Sequence, residues 1–501
     1  MIKTSFLNMP NNYLSLMSIT PRIIFENVRR NKNIELEYNY QNVKDFSFLI
    51  SKDYNQFQEN SISTSSNVVK YFRDYTVGKD FLVQRVLVAS EKYHQYILDS
   101  IKTEYVFITM PSVLTLPLVN FLLKKGLKVL LGGSLIKGYG TEVIRTLINQ
   151  INLLTEVESK NLIIFEGYLD VNEDLYKIIM DGKDFVSNDF SLSKYTWEYF
   201  PDSYGEFEIE DNLSVPICVV YESGCRYKKC LHCTWKNTLV NNFTKTITVD
   251  DMYNNTKKLC EDRGTTSIIV HDGDVIFDDK LSQYCKRMKD EGYDIIFTTS
   301  IKNFLDIKNI EFYNDCASFI NIGIDSCDDY CLSILNKKHR WEDIVNATKM
   351  IKQHLNPDIV LKLLMVIDAP YKNKDDIIQN YDRLIFILSE LSMHMENMFI
   401  STYFLMNFPN LPLMNLKNYL NVESDEHVEF QNGMVGSFNK MRQYADFKFD
   451  HLQKIMKPFV RIDENNSFLK SDFEYLNDNQ LSMLFDHKEL NNISIFRKYK
   501  Y

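Results

Sequence analysis

From Pro216 onward the sequence repeats one pattern, a short apolar run followed by an amphipathic stretch of helical period. PICVVYES, TSIIVHDG, YDIIFTTS, SFINIGIDS, DIVLKLLMVID and ENMFISTYFLM read as strands, and the stretches between them, from VDDMYNNTKKLCEDRG to NKDDIIQNYDRLIFILSEL, read as helices. Gly264 and Gly292 fall just past the first two helical faces, where a glycine commonly ends a helix. Strands that alternate with helices run parallel, because each helix carries the chain back to the start of the next strand. Six such units predict a partial (β/α)6 barrel or a wound sheet, with any active site at the C-terminal ends of its strands.

The first 200 residues carry a looser version of the same alternation. TSFLNM, YVFITM, KVLLGG and NLIIFEG read as strands, separated by helical stretches such as LVNFLLKKG and TEVIRTLINQINLL. They predict a Rossmann-like, doubly wound parallel sheet with helices on both faces. Residues 51–100 fit less well and read as helices inserted into that sheet or leaning on it. The acidic, turn-rich FPDSYGEFEIEDNLS marks a linker. The expected division of this α/β chain is 1–200, 201–405 and 406–501, the last a mostly helical cap on the substrate side. A length of 501 residues agrees with about three domains.

Composition narrows the function classes. Residues that are 45% hydrophobic and 25% charged describe a soluble globular protein. A net charge of -10 and the lack of any Lys/Arg run argue against a nucleic-acid partner. The N-terminus has neither a charged n-region nor a sustained apolar h-region, so no secretory signal is expected. The longest uncharged run, Tyr105 to Leu123, could span a bilayer, but Pro111 and Pro117 divide it and Ser112, Thr115 and Asn120 dilute it. It is expected to be a buried strand, a turn and a helix, and no membrane partner is expected.

The nine cysteines all lie between residues 218 and 331, and three fall within nine residues, in GCRYKKCLHC: Cys225, Cys230 and Cys233. Such local use of thiols favours a reducing cytoplasm over a disulfide framework. Cys218 reads as a small core residue inside its strand, and Cys260, Cys285, Cys316, Cys327 and Cys331 as structural residues on helices or their edges. The three clustered thiols follow the first strand of the second repeat, where α/β folds place chemistry. A structural zinc site wants four ligands, usually as two separated pairs, and one C-x2-C pair is present. His232, between two of the cysteines, could be a fourth ligand only with difficulty. A [4Fe-4S] cluster with one iron left open explains three thiols directly and is the favoured reading, with zinc the alternative.

At these residues the chain resembles the radical S-adenosylmethionine (SAM) superfamily, whose cluster loop usually reads C-x3-C-x2-C. Here the spacing is C-x4-C-x2-C. Further matches occur in order. HDGD, His271 to Asp274, ends the second strand, where the family binds the amino group of SAM. GIDS, Gly323 to Ser326, ends the fourth and resembles a Gly-Ile-Glu-Ser motif that approaches the SAM ribose. CLSILNKKHRWEDIVNATKMIKQH is similar to the helix that follows it, and in VLKLLMVIDAPYKNKDD Asp368 and Pro370 replace most of the glycines of a fifth-strand motif near the adenine. The resemblance implies that Cys225, Cys230 and Cys233 hold the cluster and that His232, Asp272, Gly273, Asp274, Asp325 and Ser326 face SAM. A carboxylate such as Asp272 or Asp274 suits the ammonium of SAM on chemical grounds as well.

The N-terminal part resembles the cobalamin-binding domain that precedes the radical SAM domain in one branch. KVLLGGSLI supplies a glycine pair, Gly132 and Gly133, that would let a cofactor tail approach the backbone. Its second motif is reduced to Glu166 and Gly167. No Asp-x-His-x-x-Gly motif is present, and His94 is the sole histidine before residue 201, so no histidine of that motif would fill cobalamin's lower axial position. The resemblance implies radical chemistry at an unactivated carbon of a peptide or natural product, with methyl transfer the commonest outcome and an electron donor such as flavodoxin or ferredoxin as partner. A cobalamin-independent enzyme that cross-links or rearranges a peptide is the alternative, and a zinc-stabilised binding protein is the non-enzymatic one.

Overall fold

The computed structural model describes residues 1–8, 31–40, 91–110, 115–133, 136, 139–166, 174–186, 217–222, 225–233, 247–270, 273–275, 277–367, 369, 371–372, 374–404 and 493–495. The linker, Asp272, Gly167, Asp368 and most of the segment after residue 405 lie outside the described residues.

Short β-branched and leucine-rich runs form the first sheet: β1 (Ile2–Asn8), β2 (Ile34–Tyr40), β3 (Tyr105–Thr109), β4 (Lys128–Gly132), β5 (Leu162–Glu166) and β6 (Phe185–Val186). They are ordered β2-β1-β3-β4-β5-β6, and every pair is parallel. Side chains alternate between two apolar clusters. Val106, Ile108, Val129, Leu131, Leu162 and Ile164 pack with α1 (Glu91–Ser100), α2 (Leu116–Lys124) and α3 (Thr141–Ile151). Phe107, Leu130, Ile163 and Phe165 pack on the other face with Leu175 and Ile179 of α5 (Leu175–Asp181) and with Val220, which lies beyond the linker. The short α4 (Glu156–Lys160) leads into β5. A slip of one residue in any strand would exchange the two faces, so apolar burial fixes the register. The run from Tyr105 is split as its prolines require, into β3 and a helix that carries Pro117 in its first turn.

The second sheet contains β7 (Ile217–Val219), β8 (Ser267–Val270), β9 (Asp294–Ser300), β10 (Phe319–Asp325), β11 (Val360–Ile367) and β12 (Met398–Phe404) in sequential order, all parallel. A seventh strand, β13 (Ile493–Ile495), pairs parallel with β12. The C-terminal segment, expected to be mostly helical, therefore also gives the sheet a strand.

The helices of this half are α6 (Val249–Arg263), α7 (Asp279–Asp290), α8 (Ile307–Cys316), α9 (Asp329–Ile334), α10 (Trp341–His354) and α11 (Lys374–Ser392). A Thr248–Asp251 capping box starts α6, and Gly264, left-handed at φ 60°, ends it. Ile268, Val270, Ile295, Phe297, Ile320, Ile322, Ile324, Leu361, Leu363 and Met365 share one apolar cluster with all six helices. The alternate residues turn to the opposite face, which is apolar at Ile269, Ile296 and Phe319 and polar at Thr298, Ser300, Asn321, Asp325 and Lys362, with Ser300 and Asp325 at the C-terminal ends of β9 and β10. Asn321 and Lys362 are buried there. Helices on one face and a second face that carries polar as well as apolar side chains fit the organisation of a partial barrel.

Cys260, Cys285, Cys316, Cys327 and Cys331 are buried in this half, whereas Cys218 is only half-buried because it alternates away from Ile217 and Val219.

Candidate active site

The cysteine loop begins where β7 ends. Tyr221 donates its hydroxyl to Asp278 at 2.8 Å, and Asp278 caps α7 by accepting from the Leu281 amide at 2.8 Å. Glu222, nearly buried, takes two bonds from the Arg226 guanidinium at 2.9 and 3.0 Å, so the first turn of the loop is gripped from beneath. Cys225, Cys230 and Cys233 follow as half-buried cysteines outside any disulfide. Lys228 sits at φ 51°, a left-handed conformation that costs a non-glycine residue about 1 kcal/mol or more. It lies among the four residues between Cys225 and Cys230, where the loop is one residue longer than its usual form, and it is there that the chain turns back.

A second segment holds this loop from outside. The Leu231 amide donates to the Leu335 carbonyl (3.1 Å), the Tyr227 hydroxyl to the Asn336 carbonyl (3.0 Å), and the Asn336 side chain to the Lys229 carbonyl (2.9 Å). Asn336 is itself left-handed at φ 51°. The next residue, Lys337, points inward and meets Asp325 at 2.6 Å. Asp325 ends β10 at φ 62°, after a register irregularity that follows Gly323. His232 Nε2 is 3.8 Å from the other Asp325 oxygen, beyond hydrogen-bond range, and its buried Nδ1 has no hydrogen-bond partner among the described residues.

The charges in this cluster are coupled. Burial pushes the Cys230 thiol up to about 11, with Lys337 working against it. Burial also drives the His232 imidazole down to about 4, and Lys337 acts in the same direction, so the ring is neutral. For Asp325 burial alone would raise the carboxyl, but Lys337 and His232 reverse this and hold it below the ordinary carboxylate value. Lys337 would be lowered by burial, yet Asp325, Cys230 and Cys233 keep it above the usual lysine value.

The remaining expected residues divide. Asp274 does not point to open space: its carboxylate accepts from the Ser300 amide (3.1 Å), Asn303 Nδ2 (2.9 Å) and Thr299 Oγ1 (3.3 Å), tying the end of β8 to the end of β9. Gly273 is half-buried beside it. Ser326 is fully buried and faces the helices, donating to Asn380 Oδ1 at 2.9 Å and accepting from the Asp328 amide at 3.0 Å. Asn380, on α11, also accepts from the Cys327 amide at 2.6 Å, and Arg383 donates to the Cys327 carbonyl at 2.9 Å. Thus Ser326 shapes the turn after β10 from behind.

In the first sheet the glycine pair has two explanations. A Cβ on Gly133, at φ 131°, would stand 2.8 Å from the Met110 amide nitrogen and 2.9 Å from its carbonyl oxygen, so the end of β3 requires this glycine. A Cβ on Gly132 would make an ordinary van der Waals contact with Phe165 at 3.9 Å, so packing alone does not require this glycine. Glu166 accepts from the amide and hydroxyl of Thr141 (3.2 and 2.8 Å) and so caps α3. His94 is buried against the Phe121 ring.

Sequence reasoning missed Lys337, Asn336, Asn380, Glu222 and Arg226. Lys337 and Asn336 lay within a stretch matched to a helix motif, and only the fold brings them to the cysteines.

Among the described residues no group of three His, Cys, Asp or Glu side chains is set to hold a single metal ion. A cluster asks for a different arrangement, since each thiolate binds its own iron and the sulfurs stand apart around the cluster body. Three half-buried thiols in a pinned loop, with a cation beside them, fit that donor set. Residues 219–384 match the family model of the Radical SAM superfamily. The matched region runs from the end of β7 into α11 and so takes in the cysteine loop and most of the second sheet.

Among solved structures, the chain is similar to the radical S-adenosylmethionine methyltransferase TsrM from Kitasatospora setae with cobalamin and [4Fe-4S] cluster bound. The likeness has 9% identity and a TM-score of 0.49, and it covers 82% of this chain and 77% of that one. It is also similar to the cobalamin-dependent S-adenosylmethionine radical enzyme OxsB with aqua-cobalamin and S-adenosylmethionine bound, at 12% identity and a TM-score of 0.47, covering 84% of this chain and 56% of that one. Curated protein sequences gave no match. No helix among the described residues is long and apolar enough to cross a membrane.

Proposed function

We propose that the chain reductively cleaves SAM at a [4Fe-4S] cluster held by Cys225, Cys230 and Cys233, and uses the resulting 5'-deoxyadenosyl radical on an unactivated carbon of a peptide or natural product. The observation that carries this reading is the position of the three thiols, in a pinned loop at the C-terminal end of β7, inside the matched region. When bound, the cluster supplies one electron and an open iron able to chelate the amino and carboxylate groups of SAM. The residues of the chain position and shield. Asp325, kept ionised by Lys337, offers a carboxylate at the end of β10, and neutral His232 offers an unpaired ring nitrogen beside it. Asp272 and Gly273 remain the proposed contacts for the SAM ammonium, with Asp274 positioning them through its hold on the β9 end. An external one-electron donor of the flavodoxin or ferredoxin kind completes the requirements.

The first sheet we assign to cobalamin, which makes methyl transfer the leading reaction. Its support is the parallel sheet preceding the region matched to the radical SAM superfamily, and a glycine, Gly132, at the β4 end that packing alone does not require. The need for Gly133 has a separate cause in Met110, and this favours keeping a second reading, in which the sheet is a scaffold without cobalamin and the reaction is a cross-link or rearrangement.

Anaerobic reconstitution tests the core of the proposal. The parent should take up about four irons and four sulfides, and the Cys225/Cys230/Cys233→Ala variant none. Stoichiometric zinc with no iron uptake would overturn it. Desalting after hydroxocobalamin loading separates the two readings of the first sheet.

A further inference from the structure

The chain has 67 acidic and 57 basic residues, yet two of its stretches hold cations and no acid. No Asp or Glu occurs between Glu222 and Asp250, where Arg226, Lys228, Lys229, Lys236 and Lys245 fall, nor between Asp329 and Glu342, where Lys337, Lys338 and Arg340 fall. Neither stretch is a run of cations, but the fold joins them. Three hydrogen bonds between residues 227–231 and Leu335 and Asn336 lay the 335–340 turn against the cysteine loop. Arg340 is held on that turn by donating to the Lys337 and His339 carbonyls at 2.9 and 2.8 Å.

Ion pairs decide which of these charges count. Glu222 balances Arg226 and Asp325 balances Lys337, so both pairs are set aside. Lys228, Lys229, Lys338 and Arg340 form no ion pair among the described residues, and Lys229, Lys338 and Arg340 are exposed. The acids flanking the turn are engaged elsewhere: Asp329 accepts from the Trp341 amide at 2.7 Å, and Asp343 accepts from the Arg340 amide at 2.9 Å and faces Lys302 at 3.6 Å.

We propose that Lys228 and Lys229 on the loop, with Lys338 and Arg340 on the turn, form the docking surface for an acidic redox protein that delivers the electron to the cluster. This rests on the cluster reading above. Electron transfer between proteins weakens steeply with distance, so a donor has to reach a face next to the cysteines, and Lys229 adjoins Cys230 in the chain. Electron-transfer encounters bury little surface, which leaves charge to guide them. Complementary fields raise the rate of encounter by about ten-fold or more and are screened by salt. A chain of net charge -10 repels an acidic donor as a whole, and a local reversal of sign gives it a place to land. One electron leaves the donor, which is oxidised, and enters the cluster, which is reduced; no bond forms or breaks.

The test uses the anaerobically reconstituted full chain, parent and Lys229→Glu/Lys338→Glu, at low and high salt. Binding of oxidised flavodoxin is measured by calorimetry, and cluster reduction by reduced flavodoxin is followed by stopped-flow absorbance. Affinity and rate in the parent should fall as salt rises. At low salt the variant should bind and be reduced about ten-fold or more less well, with parent iron content and no slowing toward the methyl viologen radical, a small cation that needs no docking surface. Parent-like flavodoxin binding and reduction in an iron-loaded variant overturns the inference and leaves the cluster reading standing; if binding of a single-stranded RNA is lost instead, the surface belongs to nucleic acid. Equal slowing toward flavodoxin and viologen overturns it too, since the change then acts on the cluster. Where the variant holds no iron, Lys229→Gln/Lys338→Gln should show a smaller loss in the same direction, and no loss overturns the inference. A parent that takes up no iron overturns the cluster reading and this inference with it.

Discussion

The two sheets of this protein are built from the same grammar and differ in what they do with their second face. In the first, both faces are apolar and covered, with Val106, Val129 and Leu162 on one side and Phe107, Leu130 and Ile163 on the other. In the second, one face packs on the six helices described, and the alternate positions include Thr298, Asn321, Asp325 and Lys362. A strand with two apolar faces can only be core. A sheet with polar side chains on its second face has a place for a ligand, and in an α/β fold that place lies at the C-terminal ends of the strands. The cysteine loop stands at that end of the second sheet, and the difference locates the chemistry without reference to any motif.

The comparison can be broken first at Gly133. Because a side chain there would meet the Met110 backbone and has to adopt a positive φ, Gly133→Val should destabilise the first sheet by about 3 kcal/mol or more. Gly132→Ala should change stability by less than about 1 kcal/mol. Thermal unfolding of both, with iron content measured alongside, decides this. Equal behaviour would mean that the two glycines share a role, and loss of iron in Gly133→Val would mean that the sheets are not separable.

Asn380 offers the corresponding cut in the second sheet. Asn380→Ala leaves the buried Cys327 amide and Ser326 hydroxyl without their acceptor, at a cost of roughly 1–3 kcal/mol. SAM affinity, read by equilibrium binding, should fall as the turn after β10 loosens. Unchanged affinity would separate that turn from the site.

A smaller effect is expected from His339. Its Nε2 is 2.9 Å from the Ile324 carbonyl, and its buried Nδ1 has no hydrogen-bond partner among the described residues, so the neutral ring suits the fold. Burial lowers its pKa below the ordinary value near 6.5. The unfolded chain then binds the proton more readily, and this contribution to stability is present above about pH 6.5 and is lost as pH falls through the folded value. Chemical denaturation of the parent and His339→Gln across that range should show a shallower decline in the variant.

Much of this was legible in the sequence for a physical reason. Strand runs, helix-ending glycines and the three cysteines are local patterns, and GCRYKKCLHC carries its meaning within ten residues. What escaped was tertiary. Asn336 reaches Lys229 across 107 positions and Asn380 reaches Cys327 across 53, and nothing in either neighbourhood announces the partner. Gly133 shows the converse error. A glycine after a strand reads equally well as room for a cofactor or as room for a neighbouring strand, and only the position of Met110 separates the two. Ser326 was matched by motif, yet its hydroxyl faces α11, because the side chain after the left-handed Asp325 turns back into the core.

The central claim, that the open polar end of the second sheet performs reductive cleavage of SAM, is tested most directly by product. Reconstituted, dithionite-reduced protein incubated with SAM should form 5'-deoxyadenosine, detected by mass spectrometry, and the Cys225/Cys230/Cys233→Ala variant should form none. Iron-loaded, reducible parent protein that binds SAM and yields no 5'-deoxyadenosine, with or without hydroxocobalamin, would contradict the account.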